Sequence, residues 1–324
     1  MDLLTIGDVS IDLYMKINEN EVVEKSGSGN DAKLCFFHGS KIPVSHFETS
    51  IAGNSLNVGV ACAKLGLKTG IYSELGDDGN ADRITSELKS FGVDTTYCLR
   101  NNDTPTNLNS VVIFGGDRTI FSYHDKRTYK VQGWPEPKWI YYTSMGHGFE
   151  EFQRELIAYL GEHPKVGLAF NPGTLQMKAG VEKLRNILKV TDILFVNKEE
   201  AEALVGKEKG GKGGAFSLND LYKKLHLLGV KLTVITDGEN GAGASDGQAV
   251  VNISAYNDER PVVDRTGAGD AFSAGFLSAI IYGKGLKESL AWGVINGSCQ
   301  IKEIGSIRGL LSKNEIEKIA KKVI

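Results

Sequence analysis

Apolar and polar residues follow two rhythms along this chain, and the switching between them predicts its fold. Leu3 to Val9, Thr69 to Leu75, Trp139 to Tyr142, Val166 to Phe170, Asp192 to Val196 and Leu232 to Thr236 are short apolar runs. They have the character of strands buried on both faces. Between them lie segments with helical spacing or many small residues: Ala52 to Gly66, a helix ending near Phe91-Gly92, Leu218 to Leu228 and Leu311 to Val323. Strands alternating with amphipathic helices predict an α/β fold with a central, mostly parallel sheet. Asn107 to Ile113 and Thr119 to Tyr123 flank Gly115-Gly116-Asp117-Arg118 and predict a β-hairpin. Tyr14 to Ser50 is mixed, with Glu24 to Asp31 read as an exposed loop and Leu34-Cys35-Phe36-Phe37 as a strand. This stretch and the hairpin are expected to form a small β-sheet lid.

The stretch Val262-Val263-Asp264-Arg265-Thr266-Gly267-Ala268-Gly269-Asp270-Ala271-Phe272 carries the most chemistry. It reads as strand, tight turn and buried helix, because Phe272, Phe276, Leu277, Ile280 and Ile281 recur at helical spacing up to Gly283. Glycines at 267 and 269 let amide groups point into open space, and the helix behind adds its positive dipole end. Such a turn attracts anions. Asp270 is electrostatically misplaced there unless it takes a proton from a hydroxyl about to attack phosphorus; the plainer alternative is a helix cap. Asp12, at the end of the first strand, is placed to accept hydrogen bonds from a polyhydroxylated substrate or serves an ordinary turn. Asn57, in a helical first turn, can donate to and accept from hydroxyls. Asn171, Asn197 and Thr236 each end a strand, where a ligand crevice lies.

Composition narrows the function. The chain has 324 residues, 41% of them hydrophobic, enough for a large core. Its 37 basic and 40 acidic residues nearly cancel, which gives no case for nucleic acid or a membrane as partner. No apolar run approaches ~18 residues and the N-terminus lacks the basic start of a signal peptide, so a soluble, cytoplasmic protein is expected. Four scattered cysteines form no CxxC. Gly206 to Gly214, with Lys209 and Lys212, lacks the GK[ST] ending of a P-loop, and no GxGxxG follows the first strand. A dinucleotide-dependent dehydrogenase is thereby disfavoured.

Asp264 to Phe272 resembles the C-terminal signature of the ribokinase-like (PfkB) family of carbohydrate kinases, with Arg265 departing from its usual DTTGAGD. Ala52 to Gly66 is similar to the family's N-terminal signature, with Ala52 in place of the first glycine. Gly76-Asp77-Asp78-Gly79 resembles a further family turn, and Asn197-Lys198-Glu199-Glu200 matches its N-x-x-E. The resemblance implies a three-layer ribokinase-like fold, a single domain over residues 1–324 with its lid from about 13–50 and 104–127. It implies transfer of the γ-phosphoryl group of ATP to a sugar hydroxyl. Asp270 would be the base, and Gly267, Ala268 and Gly269 the anion hole. Asp12, Gly53, Asn54, Asn57 and Asn171 would contact substrate. Asn197, Thr236, Gly238, Gly241, Gly267, Gly269 and Asn296 would contact nucleotide. Glu200 would organise Mg2+ through water, and Asp264 and Thr266, with carbonyls around Ile301 to Ser306, would hold a monovalent cation, K+ in this family. His124, Lys126 and Arg127 either reach the transferred phosphate or form a solvated rim. A nucleoside acceptor is the alternative, favoured if Phe36, Phe37 or Phe121 stacks on a base. A catalytically silent binding protein is disfavoured by retention of Asp270, the anion-hole glycines, Asn197 and Glu200. Pairing of two copies through the lid sheet is a further expectation. The residues leave open whether Thr236 to Gly241 holds nucleotide or is a hairpin turn, whether Glu200 is simply part of a solvated helix start, and what Arg265 and Asp237 do.

Overall fold

The computed structural model describes residues 1–18, 20, 24–26, 33–115, 117–206 and 216–323. In chain order the elements are β1 Leu3–Ile6, β2 Ser10–Ile17, β3 Glu24–Ser26, β4 Lys33–Cys35, β5 Val44–Ala52, α1 Asn54–Lys64, β6 Thr69–Gly76, α2 Gly79–Ser90 and β7 Asp94–Asn101. They continue with β8 Leu108–Phe114, β9 Asp117–Tyr123, β10 Trp139–Tyr142, α3 Phe149–Glu162, β11 Gly167–Phe170, α4 Thr174–Ala179, α5 Val181–Lys189, β12 Ile193–Asn197 and α6 Lys198–Leu204. The last are α7 Leu218–Leu227, β13 Leu232–Thr236, β14 Ala242–Ser245, β15 Val250–Ile253, α8 Ala268–Ile281, α9 Leu286–Gln300 and α10 Lys313–Val323.

Nine strands form the main sheet in the order β15-β14-β13-β12-β11-β10-β1-β6-β7, parallel except for β14 and β15. Successive side chains of β1 point to opposite faces. Leu3 enters a core with α1, α8 and Val234, whereas Leu4 and Ile6 enter a second core with Phe152, Leu184 and Leu221. Each core is closed by helices, giving the expected three layers. After β1 the chain adds β6 and β7 on one side, and from β10 it adds strands on the other. The reversal lies between β1 and β10, and the C-terminal ends of the strands there open onto a crevice. No helix among the described residues is long and apolar enough to cross a membrane.

A smaller four-stranded sheet, β5-β2-β8-β9, carries the β8–β9 hairpin read from the sequence. Three local expectations change. The first strand ends at Ile6, and Asp12 stands on β2 within the smaller sheet, because Ser10 to Ile17 pairs with both β5 and β8. Leu34 lies in β4, but Phe36 and Phe37 are outside it, and β4 pairs with β3 in a separate two-stranded sheet. Glu24 to Ser26 is therefore strand, while residues 27–31 of the anticipated loop lie outside the described residues. Val262-Val263 is not a strand; the N–H groups of Val263 and Asp264 are instead tied to the Ile301 carbonyl. Lys209 and Lys212 also lie outside the described residues.

Candidate active site

Three cavities share walls along the crevice. The first, about 650 Å3, lies between the smaller sheet and the strand ends and is lined by Asp8, Ser10, Asp12, Gly53, Asn54, Asn57, Asn109 and Asp270, among others. The second, about 240 Å3, shares Asn54, Thr266, Gly267 and Asp270 with it and adds Asn171, Asn197, Glu200, Ala268 and Gly269. The third, about 470 Å3, shares Thr236, Arg265, Ala268, Gly269 and Phe272 with the second and continues past Gly238, Gly241, Tyr256, Val294 and Ile301. Polar walls thus give way to apolar ones along one line.

Asp270 sits where the first two cavities meet, in the first turn of α8. The turn forms because Gly267 adopts φ 76°, a left-handed conformation in which a Cβ would meet the Ser306 carbonyl oxygen at 2.7 Å. A Cβ on Gly269 would meet nothing within 4 Å, so its absence leaves the second cavity open against the backbone. The N–H groups of Gly267 and Gly269 have no acceptor among the described residues, as the start of a helix requires. Asp270 itself is only 6% exposed. Asn54 Nδ2 donates to its Oδ1 at 2.9 Å and Asn57 Nδ2 to its Oδ2 at 2.7 Å, while Ser306 Oγ donates to Asn57 Oδ1 at 2.7 Å. Burial pushes the carboxyl up to about 6, against the opposing pull of the Asn57 and Asn54 hydrogen bonds.

On the smaller sheet, Asp12 Oδ1 accepts from Asn109 Nδ2 at 2.8 Å and Ser10 Oγ at 3.3 Å, and its Oδ2 accepts from Tyr14 at 3.3 Å. Asp8 Oδ1 accepts from the buried Tyr129 hydroxyl at 2.7 Å, with His124 Nδ1 3.9 Å from Oδ2. His124 lines the first cavity. Its neighbour Arg127 is 1% exposed and bonds Pro105 O, Asn107 Oδ1 and Thr104 Oγ1, which is neither a rim nor a phosphate contact. Lys126 is exposed.

Around the second cavity, Asn197 caps α6: its Oδ1 accepts from the Glu200 N–H at 2.9 Å, and Glu200 Oε2 accepts from the Asn197 N–H at 2.9 Å. Burial, then the charges of Glu199 and Asp270, lift this carboxyl above its ordinary range, although the Asn197 N–H opposes them. Asn171 lies on this cavity rather than on the first, with Nδ2 donating to Phe195 O at 2.8 Å. Asn296 lines none of the three; it is fully buried, donating to Ala271 O at 2.8 Å and accepting from the Leu311 N–H at 3.1 Å. Asp237 pairs with Lys198 at 3.3 Å, and Arg265 with Glu239 at 3.2 Å. The 237–241 turn both joins the antiparallel pair β13–β14 and borders the third cavity.

Sequence reasoning missed Arg118, Asn109 and Asp8. Arg118 reaches from β9 to the second cavity, where Nη1 lies 3.2 Å from Asp264 Oδ1 and also donates to Thr266 Oγ1. The alternation of β8 and β9 was the available signal for the first two. It turns Asn109 and Ser122 to one face, toward Asp12, but no local pattern says which face meets the crevice.

A family model described as pfkB family carbohydrate kinase matches residues 4–313. An ATP-dependent 6-phosphofructokinase of Thermoanaerobacterium thermosaccharolyticum is 24% identical over 320 residues, 94% of this chain and 89% of that protein. A ribokinase of Bacillus subtilis is 27% identical over 287 residues, 87% of this chain and 91% of that protein. The solved structure of Arabidopsis thaliana ribokinase complexed with ribose and ATP superposes with a TM-score of 0.80 at 22% identity, covering 99% of this chain and 98% of that one.

Proposed function

The chain belongs to the pfkB family of carbohydrate kinases, and from that premise we propose that it phosphorylates a hydroxyl of a sugar held in the first cavity, with Asp270 as the base. One observation carries the assignment. A buried carboxylate, held by two amide donors, stands where the first cavity meets the glycine-walled second one. ATP in the second and third cavities would lay its terminal phosphate against the α8 turn and its base against Phe272, Val294 and Ile301. Asp270 accepts the proton of the acceptor hydroxyl, an effect typically worth about 100- to 10,000-fold. Asn54 and Asn57 fix the carboxylate's orientation. The unbonded Gly267 and Gly269 amides, with that of Ala268 once it leaves its long 3.4 Å bond to Arg265 O, would face the charge that grows on the phosphoryl oxygens, where one preorganised donor is worth ~3 kcal/mol. The smaller sheet excludes water, the competing acceptor.

Magnesium fits beside Glu200 and Asn197. No group of three or more His, Cys, Asp or Glu side chains that could hold a metal occurs among the described residues, so phosphate oxygens and water would supply most ligands, as this ion prefers. When bound it would offset phosphate charge. A monovalent cation at Asp264 and Thr266 fits poorly, since the Asp264 carboxylate already holds the Arg118 guanidinium and three further hydrogen bonds.

A sugar is favoured over a nucleoside because the described residues lining the first cavity include no Phe, Tyr or Trp, and its rings are the imidazoles of His124 and His147 alone. Phe37 and Phe121 are 73% and 64% exposed, and neither borders it. Phe121 and Tyr123, with Phe47 of β5, lie exposed on the smaller sheet, where two copies would pair. The test is ADP formation from ATP against a panel of sugars, sugar phosphates and nucleosides. A sugar acceptor is expected to raise it well above the rate without acceptor; a nucleoside preference would overturn the sugar assignment, and silence across the panel the kinase itself.

A further inference from the structure

Asp264 is unusually well supplied with donors. Its Oδ1 accepts from the Thr266 N–H at 2.9 Å and the Thr266 hydroxyl at 2.6 Å, and its Oδ2 accepts from the Gly305 N–H at 3.0 Å. The Arg118 guanidinium completes the set from the opposite side of the crevice. Burial alone would raise this carboxyl, yet the Thr266 and Gly305 hydrogen bonds and the Arg118 charge hold it below its ordinary value. Two nearby carbonyls are also in use. Ile301 O accepts from both Val263 and Asp264 N–H groups, and Gly305 O accepts from Gln300 Nε2. A small cation here would compete with these donors and sit against a guanidinium, which repels it.

We propose that Arg118 is the resident positive charge of this carboxylate and that phosphoryl transfer therefore proceeds without a monovalent cation. The inference rests on the kinase reading above and adds a positioning residue to it. Arg118 also borders the cavity beside the Gly267–Asp270 turn, so its charge acts on the anion bound there. Because Arg118 stands on β9, opposite Ile113 of β8, this charge belongs to the sheet that covers the acceptor cavity. Arg265, next to Asp264 in sequence, turns instead to Glu239 and does not substitute for it.

The experiment compares wild type, Arg118→Met and Arg118→Lys in buffers whose salt is tetramethylammonium, sodium, potassium or guanidinium chloride at equal ionic strength. Turnover of wild type is expected to vary less than about twofold among the first three. Arg118→Met should lose on the order of tenfold to hundredfold in kcat, with Arg118→Lys intermediate, and guanidinium or potassium should restore part of the loss. Thermal melting is measured in parallel and needs no turnover: potassium should leave wild type unmoved relative to tetramethylammonium and raise the melting temperature of Arg118→Met. Potassium stimulation or potassium-specific stabilisation of the wild type would overturn the proposal. So would an Arg118→Met enzyme with wild-type kcat. If no acceptor is turned over, the kinase reading fails while the melting comparison still decides the cation question.

Discussion

Removing the charge of Asp270 by Asp270→Asn, and titrating it in the wild type, tests the base from two directions. The carboxyl is pushed up to about 6 from 3.8, so at pH 5 only about a tenth of the enzyme holds the carboxylate that can accept a proton. An unshifted aspartate would keep over about nine-tenths of its activity at that pH. Wild-type kcat/KM should therefore be flat above about pH 7 and fall about tenfold per unit below pH 6. The terminal phosphate of ATP also titrates, so the profile is run at saturating ATP and repeated with Asn54→Leu. That variant removes a hydrogen bond that lowers the Asp270 pKa, and its inflection should move to higher pH, which a titration of ATP would not do. The Asn variant should lose about 100- to 10,000-fold in kcat.

Stability gives an independent sign. A folded-state pKa raised from 3.8 to about 6 means that ionising Asp270 in the fold costs about 3 kcal/mol. The fold is free of this cost below pH 3.8 and bears it fully above pH 6, so wild-type stability falls relative to Asp270→Asn as pH rises through that window. Between pH 5 and pH 7.5 the relative change is ~1.4 kcal/mol. Superimposed on it is a pH-independent penalty of roughly 1–3 kcal/mol in the variant, because its new amide donor meets the donors of Asn54 or Asn57. An inflection near pH 4 in the wild type, or turnover by Asp270→Asn within tenfold of it, would refute the assignment.

Three further outcomes follow from the same geometry. Asp12→Ala should raise the KM of the acceptor on the order of 10- to 100-fold, the worth of a charged hydrogen bond or two, and leave that of ATP unchanged; steady-state kinetics in both substrates separates the two. Glu200→Gln keeps an oxygen for the Asn197 N–H and so preserves the helix cap, but the magnesium concentration giving half-maximal rate should rise about 10-fold or more, with no loss in melting temperature. Gly267→Ala places a Cβ 2.7 Å from the Ser306 carbonyl oxygen at φ 76°, which should cost on the order of 1–3 kcal/mol, seen as a lower denaturation midpoint together with a fall in kcat.

Much of this architecture is legible in the sequence wherever one local rule suffices. Buried parallel strands read as apolar runs, and β6, β10, β11, β12 and β13 match the segments so marked to within one residue at either end. The Gly-Ala-Gly-Asp turn and the Asn197–Glu200 cap are equally local, since each is built from residues three or four apart. What escapes is set by pairing across the chain. Val44–Ala52 is polar and exposed at its start, and becomes strand only because Ser10–Ile17 lies beside it. Val262 and Val263 have strand-forming side chains, yet the Val263 N–H is taken by the Ile301 carbonyl and not by a neighbouring strand. Arg118 looks like a turn residue until β9 carries it across the crevice to Asp264. Asn296 falls at a plausible helical position, yet its carboxamide is consumed in tying α8 to the segment before α10.

The first cavity, proposed to hold the acceptor, has two owners. Ser10, Asp12, Asn109 and Ser122 hang from the smaller sheet, whereas Asp270, the proposed base, rides on α8 in the main body. Exchanging side chains along β2, β8 and β9 can thus alter which molecule is taken up while the reacting turn stays as it is. Diversification within such a lineage would then be written in a hairpin, and nearly identical phosphate-handling loops would accompany quite different diets.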